Sequence, residues 1–146
     1  IKYVFKIENV FFFIQSFQNQ INDIIRIMCG IVALFGKKLF REDLNFAKTA
    51  LKTIAHRGPD NRSLINYNNR CILGHNRLSI IDLNKNSNQP MENKDISLVY
   101  NGMLYNYIEL KKELQRKNYL FKTNSDTEVI LNSYMEWGVS SFKKFR

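Results

Sequence analysis

The chain has 146 residues, about the length of one domain, and 45% of them are hydrophobic, which is enough for a core. Its two cysteines lack metal-type spacing, so we expect no disulfide scaffold and a reducing, cytoplasmic location. The formal net charge of +9 is spread along the chain, often beside acidic residues, and no DNA- or RNA-binding motif accompanies it. We therefore expect no nucleic-acid partner.

Residues 1–27 differ in character from the rest of the chain. The aromatic run at residues 10–14 is too short to span a bilayer, and polar residues flank it. No small-residue cleavage site follows, as a signal peptide would require. We predict a leader outside the working protein, with a genuine but unrelated leader as the alternative, and no membrane association.

Cys29 directly follows Met28 and precedes an apolar run that ends at Gly36. If translation starts at Met28 and this methionine is trimmed, Cys29 carries both a thiol and a free α-amine. Their ordinary pKa values are about 8.5 and about 7.7–8.0, so the amine can take the thiol proton. The alternative is a small buried cysteine that leads into a core strand.

Hydrophobic spacing predicts the elements that follow this strand. Apolar residues recur at helical spacing over residues 44–54, with Glu42 and Asp43 in the first turn, and the Gly-Pro pair at residues 58–59 ends the helix. Residues 63–67 and 70–73 are predicted strands joined by an Asn-Asn turn. A strand or loop over 74–83 and a further strand over 96–100 follow.

The last third predicts two helices. Asn106 and Ser125 are each followed three residues later by a glutamate, which is the capping-box pattern. Residues 119–122 are predicted as a short strand between them, and Gly138 as the end of the second helix. Alternating strands and helices with hairpin-like neighbours predict a layered α/β or α+β domain.

Six stretches in one order carry a resemblance to a known family. They are Met-Cys-Gly-Ile at 28–31, His-Arg-Gly-Pro-Asp at 56–60, Arg-Leu-Ser-Ile-Ile-Asp-Leu at 77–83, Gln-Pro-Met at 89–91, Tyr-Asn-Gly at 100–102 with Tyr-Asn-Tyr at 105–107, and Ser-Asp-Thr-Glu-Val-Ile at 125–130. Together they resemble the glutaminase domain of glutamine-hydrolysing asparagine synthetases, which are class II glutamine amidotransferases. The resemblance implies an α+β, four-layer αββα sandwich of the N-terminal nucleophile hydrolase type, over residues 28–146 and incomplete at the C-terminus.

The resemblance also implies roles for matching residues. Cys29 would attack the side-chain amide of glutamine, while the Asn101 side chain and the Gly102 backbone N–H would form the oxyanion hole. Arg77 would bind the α-carboxylate of the substrate and Asp126 its α-ammonium group. Relatives usually have a glutamate after the Asn-Gly pair, helping to bind this ammonium, but here Met103 stands in its place.

Each of these residues also has a structural interpretation. Asn-Gly is a common tight-turn dipeptide, Asp126 suits a helix start, and Arg77 alone is an ordinary surface arginine. We assign His56, His75 and Cys71 to structure and predict no metal site.

The sequence thus predicts the front of an asparagine synthetase, which hydrolyses glutamine and passes ammonia to aspartate. No cofactor is expected in this chain, whereas ATP and Mg²⁺ are implied for a missing C-terminal synthetase domain. Glutamine and that domain are the expected partners, and the complete protein could form a homodimer. Alternatives are an inactive remnant, a basic binding module, or a related amidotransferase with another acceptor, such as one in polysaccharide biosynthesis.

Overall fold

The computed structural model describes residues 2–7, 10–15, 29–94 and 96–146. The strands are β1 Lys2–Ile7, β2 Val10–Gln15, β3 Gly30–Phe35, β4 Asn61–Tyr67, β5 Cys71–Arg77, β6 Met91–Asn93, β7 Ile96–Leu98 and β8 Tyr100–Asn101. The α-helices are α1 Arg41–Thr53, α2 Tyr107–Arg116 and α3 Asp126–Trp137. Three short 3₁₀ turns lie at Ala55–Arg57, Lys85–Ser87 and Gly138–Lys143.

The central sheet is antiparallel, in the order β3-β5-β4. Asn68 and Asn69 form its predicted turn with φ values of 50° and 54°, a left-handed conformation that asparagine tolerates. Strand β5 continues to Arg77, beyond the predicted end at residue 73. The register pairs Gly30 with Asn76. Cys29, which precedes β3, therefore lies beside the end of β5.

Both faces of this sheet are covered. On one face, α1 packs its buried Ala47 against Ile72, as the predicted helical spacing requires. On the other face, Cys71 and Leu73 pack against Val99. All seven residues of β5 are buried as a result. Burial on both faces fits the continuous apolar run that precedes Gly36, which forms β3 as predicted.

A second core lies among the β6–β7 hairpin, β8 and the last two helices. Its buried members are Met91, Leu98, Tyr100, Leu104, Leu110, Leu114, Val129, Ile130 and Leu131. The strand predicted over 96–100 is interrupted at Val99, so that β7 pairs with β6 and β8 pairs in parallel with β2. Backbone described at residues 2–7 and 10–15 forms the antiparallel β1–β2 pair. That residues 1–27 are a leader outside the working protein stays a prediction.

The predicted helix caps are only partly correct. The Ser125 hydroxyl accepts the Thr127 N–H at 3.2 Å, and α3 ends before Gly138, whose φ is 56°. Asn106, by contrast, makes no capping bond to α2. Its amide instead binds the end of the chain, donating to the Lys144 carbonyl at 2.8 Å and accepting the Arg146 N–H at 2.9 Å.

The prediction of a short strand over residues 119–122 is wrong. Residues 119–122 have no strand pairing in the structure. The carboxylate of Glu128 accepts the N–H groups of Lys122 and Thr123 at 2.9 and 2.8 Å. Glu128 was expected to complete a capping box with Ser125. It stabilises the preceding loop instead, so side-chain hydrogen bonds replace a strand ladder there.

The helices together with largely antiparallel sheets confirm the α+β class. Within the described residues, no helix is both long enough and apolar enough to cross a membrane.

Candidate active site

Cys29 directly precedes β3, and its thiol is held by the backbone of Leu78, the residue that follows β5. Its Sγ accepts the Leu78 N–H at 3.3 Å and donates to the Leu78 carbonyl at 3.7 Å. The Arg57 Nε donates to the Cys29 carbonyl at 3.4 Å. The thiol is half-buried. Leu78 thus holds the partly accessible sulfur, while Arg57 holds the backbone carbonyl of the same residue.

The surroundings of Cys29 keep its thiol protonated. Burial raises its pKa above the ordinary value, and the nearby charge of Asp126 adds to this rise. The Leu78 N–H and the positive charge of Arg77 oppose it without cancelling it. A nucleophilic role therefore needs a base that takes the thiol proton at neutral pH.

Arg77, the last residue of β5, is buried rather than at the surface. Only 7% of it is exposed. Its Nη1 donates to the Asn84 carbonyl at 3.0 Å and to the Asn88 Oδ1 at 2.9 Å, and its Nη2 donates to the Asp82 carbonyl. These contacts use three of the five N–H donors of a guanidinium. The interpretation of Arg77 as a surface arginine is wrong.

Asp126 is the first residue of α3, where the helix dipole favours a carboxylate. It is only 5% exposed, and its Oδ2 accepts the Leu104 N–H at 3.1 Å. Burial raises its pKa, although backbone hydrogen bonds, including the one from Leu104, oppose the rise. Asp126 therefore joins the start of α3 to the segment that follows Gly102.

Asn101 ends β8 and Gly102 follows it, and both residues are half-buried. The pair is not a left-handed hairpin turn, because Gly138 is the glycine with positive φ in the described chain. A glycine at 102 instead leaves room for the Tyr100 side chain. A Cβ there would lie 2.7 Å from the Tyr100 hydroxyl. Gly102 therefore allows the backbone at this position to lie close to the Tyr100 ring.

The predicted site residues converge only in part. Arg77 and Asp126 both lie near enough to Cys29 to shift its pKa, in opposite directions. Strand β8, which ends at Asn101, contacts β3, which Cys29 precedes. Met103 is 45% exposed and directly precedes Leu104, the hydrogen-bond partner of Asp126. The nucleophile candidate and the two charged candidates thus share one region.

Three further side chains position this region, and we did not single them out from the sequence. The Asp60 carboxylate accepts the Ser79 N–H at 2.6 Å. The Gln89 side chain accepts the Tyr100 N–H at 2.5 Å and donates to the Thr127 hydroxyl at 3.2 Å. Asp82 belongs to the loop that holds Arg77, and its carboxylate accepts the Asn84 N–H of the same loop at 2.8 Å. All three lie in the six motif stretches, and this position was the feature of the sequence that could have identified them.

The two histidines and the second cysteine, which we assigned to structure, lie in different environments. His56 is exposed in a 3₁₀ turn, whereas His75 is fully buried, and burial lowers its pKa to about 4. Cys71 is 2% exposed, with its pKa raised to about 12 by burial. Among the residues that the structure describes, no three histidine, cysteine or acidic side chains form a metal-type cluster.

Comparison with known proteins identifies the family. The chain is 40% identical over 139 residues to a putative glutamine-hydrolysing asparagine synthetase 2 of Methanocaldococcus jannaschii, covering 81% of this chain and 26% of that relative. It is 38% identical to asparagine synthetase 1 of Bacillus subtilis, covering 82% of this chain and 19% of the relative. An amidase, chry2, of Gibberella zeae is 41% identical over 68% of this chain and 15% of its own length.

The chain thus spans about a quarter or less of the length of these relatives. A model of the glutamine amidotransferase domain matches residues 28–146, which contain every candidate site residue described above. The chain belongs to the glutamine amidotransferase domain family.

Proposed function

We propose that this chain supplies the glutaminase part of an asparagine synthetase. It would hydrolyse glutamine to glutamate and ammonia. The observation that carries the proposal is the convergence of a half-buried thiol with one buried cation and one buried carboxylate, at Cys29, Arg77 and Asp126. An amino acid that reacts through its side chain presents one carboxylate and one ammonium group, which these two charges complement.

The proposed reaction starts at Cys29 as the first residue of the working chain. Its free α-amine accepts the thiol proton, and Sγ bonds to the side-chain amide carbon of glutamine. Collapse of the tetrahedral intermediate breaks the C–N bond, and the amine returns the proton to the departing ammonia. Water then hydrolyses the thioester to give glutamate and the free thiol. Because burial raises the pKa of the thiol, the reaction needs a base, and the α-amine of Cys29 is the base in this proposal.

Asn101 and Gly102 would stabilise the oxyanion of this intermediate. The Asn101 side chain offers an N–H donor, and the backbone N–H of Gly102 offers a second one beside it. Such donors typically contribute about 10²–10³ in rate each. The contact of β8 with β3 supports this role, since it brings the Asn101 strand to the strand that Cys29 begins.

The rest of the proposed protein lies beyond these residues. A four-layer αββα domain over 28–146, completed by further strands, would precede a synthetase domain that uses ATP and Mg²⁺ to activate aspartate. A related amidotransferase with another ammonia acceptor is the alternative to this proposal. A homodimer of the complete protein belongs to the same proposal.

The test of this function is release of glutamate from glutamine by the full-length protein with its chain starting at Cys29. We expect Cys29→Ala to abolish release, because no other side chain forms the thioester. Cys71→Ala is the matched control and should retain activity, since Cys71 is a buried core residue. Activity that survives Cys29→Ala would overturn the proposed role of Cys29, and absence of glutamate release by the wild-type protein would overturn the proposed function.

We predict that Met103→Glu lowers the KM for glutamine about tenfold, with a smaller effect on kcat. A carboxylate beside Asp126 would add a hydrogen bond to the substrate ammonium, and such charged bonds contribute roughly 1.5–3 kcal/mol. Met103 is 45% exposed, so a glutamate needs no buried charge there. Met103→Gln, of similar size and uncharged, is the control. An unchanged KM would show that Asp126 alone suffices.

A further inference from the structure

The Asp82 carboxylate is a centre of hydrogen bonds in the loop after β5. Its Oδ1 accepts the Asn84 N–H at 2.8 Å. Its Oδ2 accepts the Ser87 hydroxyl at 2.8 Å and the Asn124 N–H at 2.8 Å. These bonds hold the pKa of Asp82 below its usual range, so the carboxylate is ionised at neutral pH.

The loop that Asp82 organises is the one that holds Arg77. The three acceptors for the Arg77 guanidinium are the carbonyls of Asp82 and Asn84 and the side chain of Asn88. Two of the three Asp82 carboxylate bonds, to Asn84 and Ser87, close this same loop on itself. The loop is otherwise exposed over residues 83–86, so few packing contacts fix its shape.

The third bond from Asp82 reaches a distant part of the chain. Asn124 lies 42 positions away and two residues before Asp126, the first residue of α3. Ser125, between them, caps the same helix. One carboxylate therefore joins the loop that holds Arg77 to the helix start that presents Asp126.

We propose that Asp82 is a positioning residue that sets the separation between Arg77 and Asp126 and thereby the affinity for the α-amino-acid end of the substrate. This inference rests on the proposed function of the site. Asp82 itself contacts no reacting atom in this scheme. Because both groups bind parts of glutamine that do not react, displacing them weakens substrate binding more than the chemical step.

The test is glutaminase kinetics of the full-length protein with its chain starting at Cys29. Asp82→Asn keeps the size but exchanges a charged acceptor for an amide that accepts at one atom only. We expect the KM for glutamine to rise about tenfold and kcat to change less than about threefold. Ser87→Ala, which removes one of the three bonds, should raise KM about two- to threefold. Asp82→Glu should restore part of the lost affinity.

A second substitution separates positioning from general destabilisation. In an Arg77→Ala background, Asp82→Asn should raise KM by less than in the wild type, because one of the two groups whose separation it sets is gone. Asp43→Asn is the matched control on α1, where the carboxylate accepts one backbone N–H, that of Phe40 at 2.7 Å. It should leave KM unchanged.

Two outcomes would overturn the inference. One is an unchanged KM in Asp82→Asn, whether or not kcat falls. The other is an increase in KM on Asp82→Asn that is as large in the Arg77→Ala background as in the wild type. If Asp82→Asn does not fold, as judged by circular dichroism, an unchanged KM in Ser87→Ala overturns it instead. Absence of glutaminase activity in the wild-type protein would contradict the proposed function itself, which is a distinct result.

Discussion

A protein whose chain starts at Cys29 should release glutamate from glutamine, and the same protein carrying residues 1–28 should not. With those residues attached, the nitrogen of Cys29 is an amide and cannot accept the thiol proton. Burial already keeps that thiol protonated. Loss of a general base typically costs about 10²–10⁴ in rate. Glutamate release by the two forms, at equal concentration and pH, measures this difference.

A third form identifies the cause of the loss. One glycine placed before Cys29 acylates its amine without adding the 28-residue segment, and it should be as inactive as the long form. If the glycine form were active and the long form inactive, the segment would act by its bulk rather than by blocking the amine. Equal activity in all three forms would rule out the N-terminal nucleophile mechanism.

Arg77→Ala should raise the KM for glutamine at least 30-fold. Removing one partner of a buried, hydrogen-bonded charge pair typically costs about 2–5 kcal/mol, and 2 kcal/mol corresponds to about 30-fold in affinity. Arg77 is 7% exposed and is the cation proposed to bind the substrate carboxylate. We expect kcat to fall less, because the α-carboxylate does not change during the reaction.

Two further variants make this result specific. Arg77→Lys keeps the charge but loses the planar fork, so its KM should lie between those of the wild type and Arg77→Ala. Arg116→Ala removes an exposed arginine on α2 and should leave KM unchanged. Since Arg77→Ala also unpairs acceptors of the loop 82–88, its melting temperature should be measured alongside. A folded Arg77→Ala protein with the wild-type KM would contradict the proposed role.

Local patterns in the sequence were sufficient for the main elements. The apolar run after Cys29 forms β3, the helical spacing of Ala47 and Leu51 forms α1, and Asn68-Asn69 forms the turn between β4 and β5. These features depend on residues a few positions apart, whose periodicity and turn preferences can be read without knowing the fold. The ordered motifs also identified the family correctly.

The same local rules failed where a distant group competed for a side chain. Asn106 was predicted to cap α2, but it binds the backbone of Lys144 and Arg146 instead. Glu128 was predicted to bind back to Ser125, but it binds the loop residues Lys122 and Thr123. A capping pattern specifies donors and acceptors that are near in sequence. It cannot exclude partners that the fold brings nearer in space.

The arrangement of the candidate site was decided by tertiary structure. The sequence indicated Arg77 as a candidate from its motif, but its burial depends on the acceptors that the loop 82–88 places around it. Asp126 meets Leu104 across 22 positions, and Asp82 meets Asn124 across 42. Buried polar groups need partners, and these partners exist only after β5 and α3 have been brought together by the packed sheets and helices.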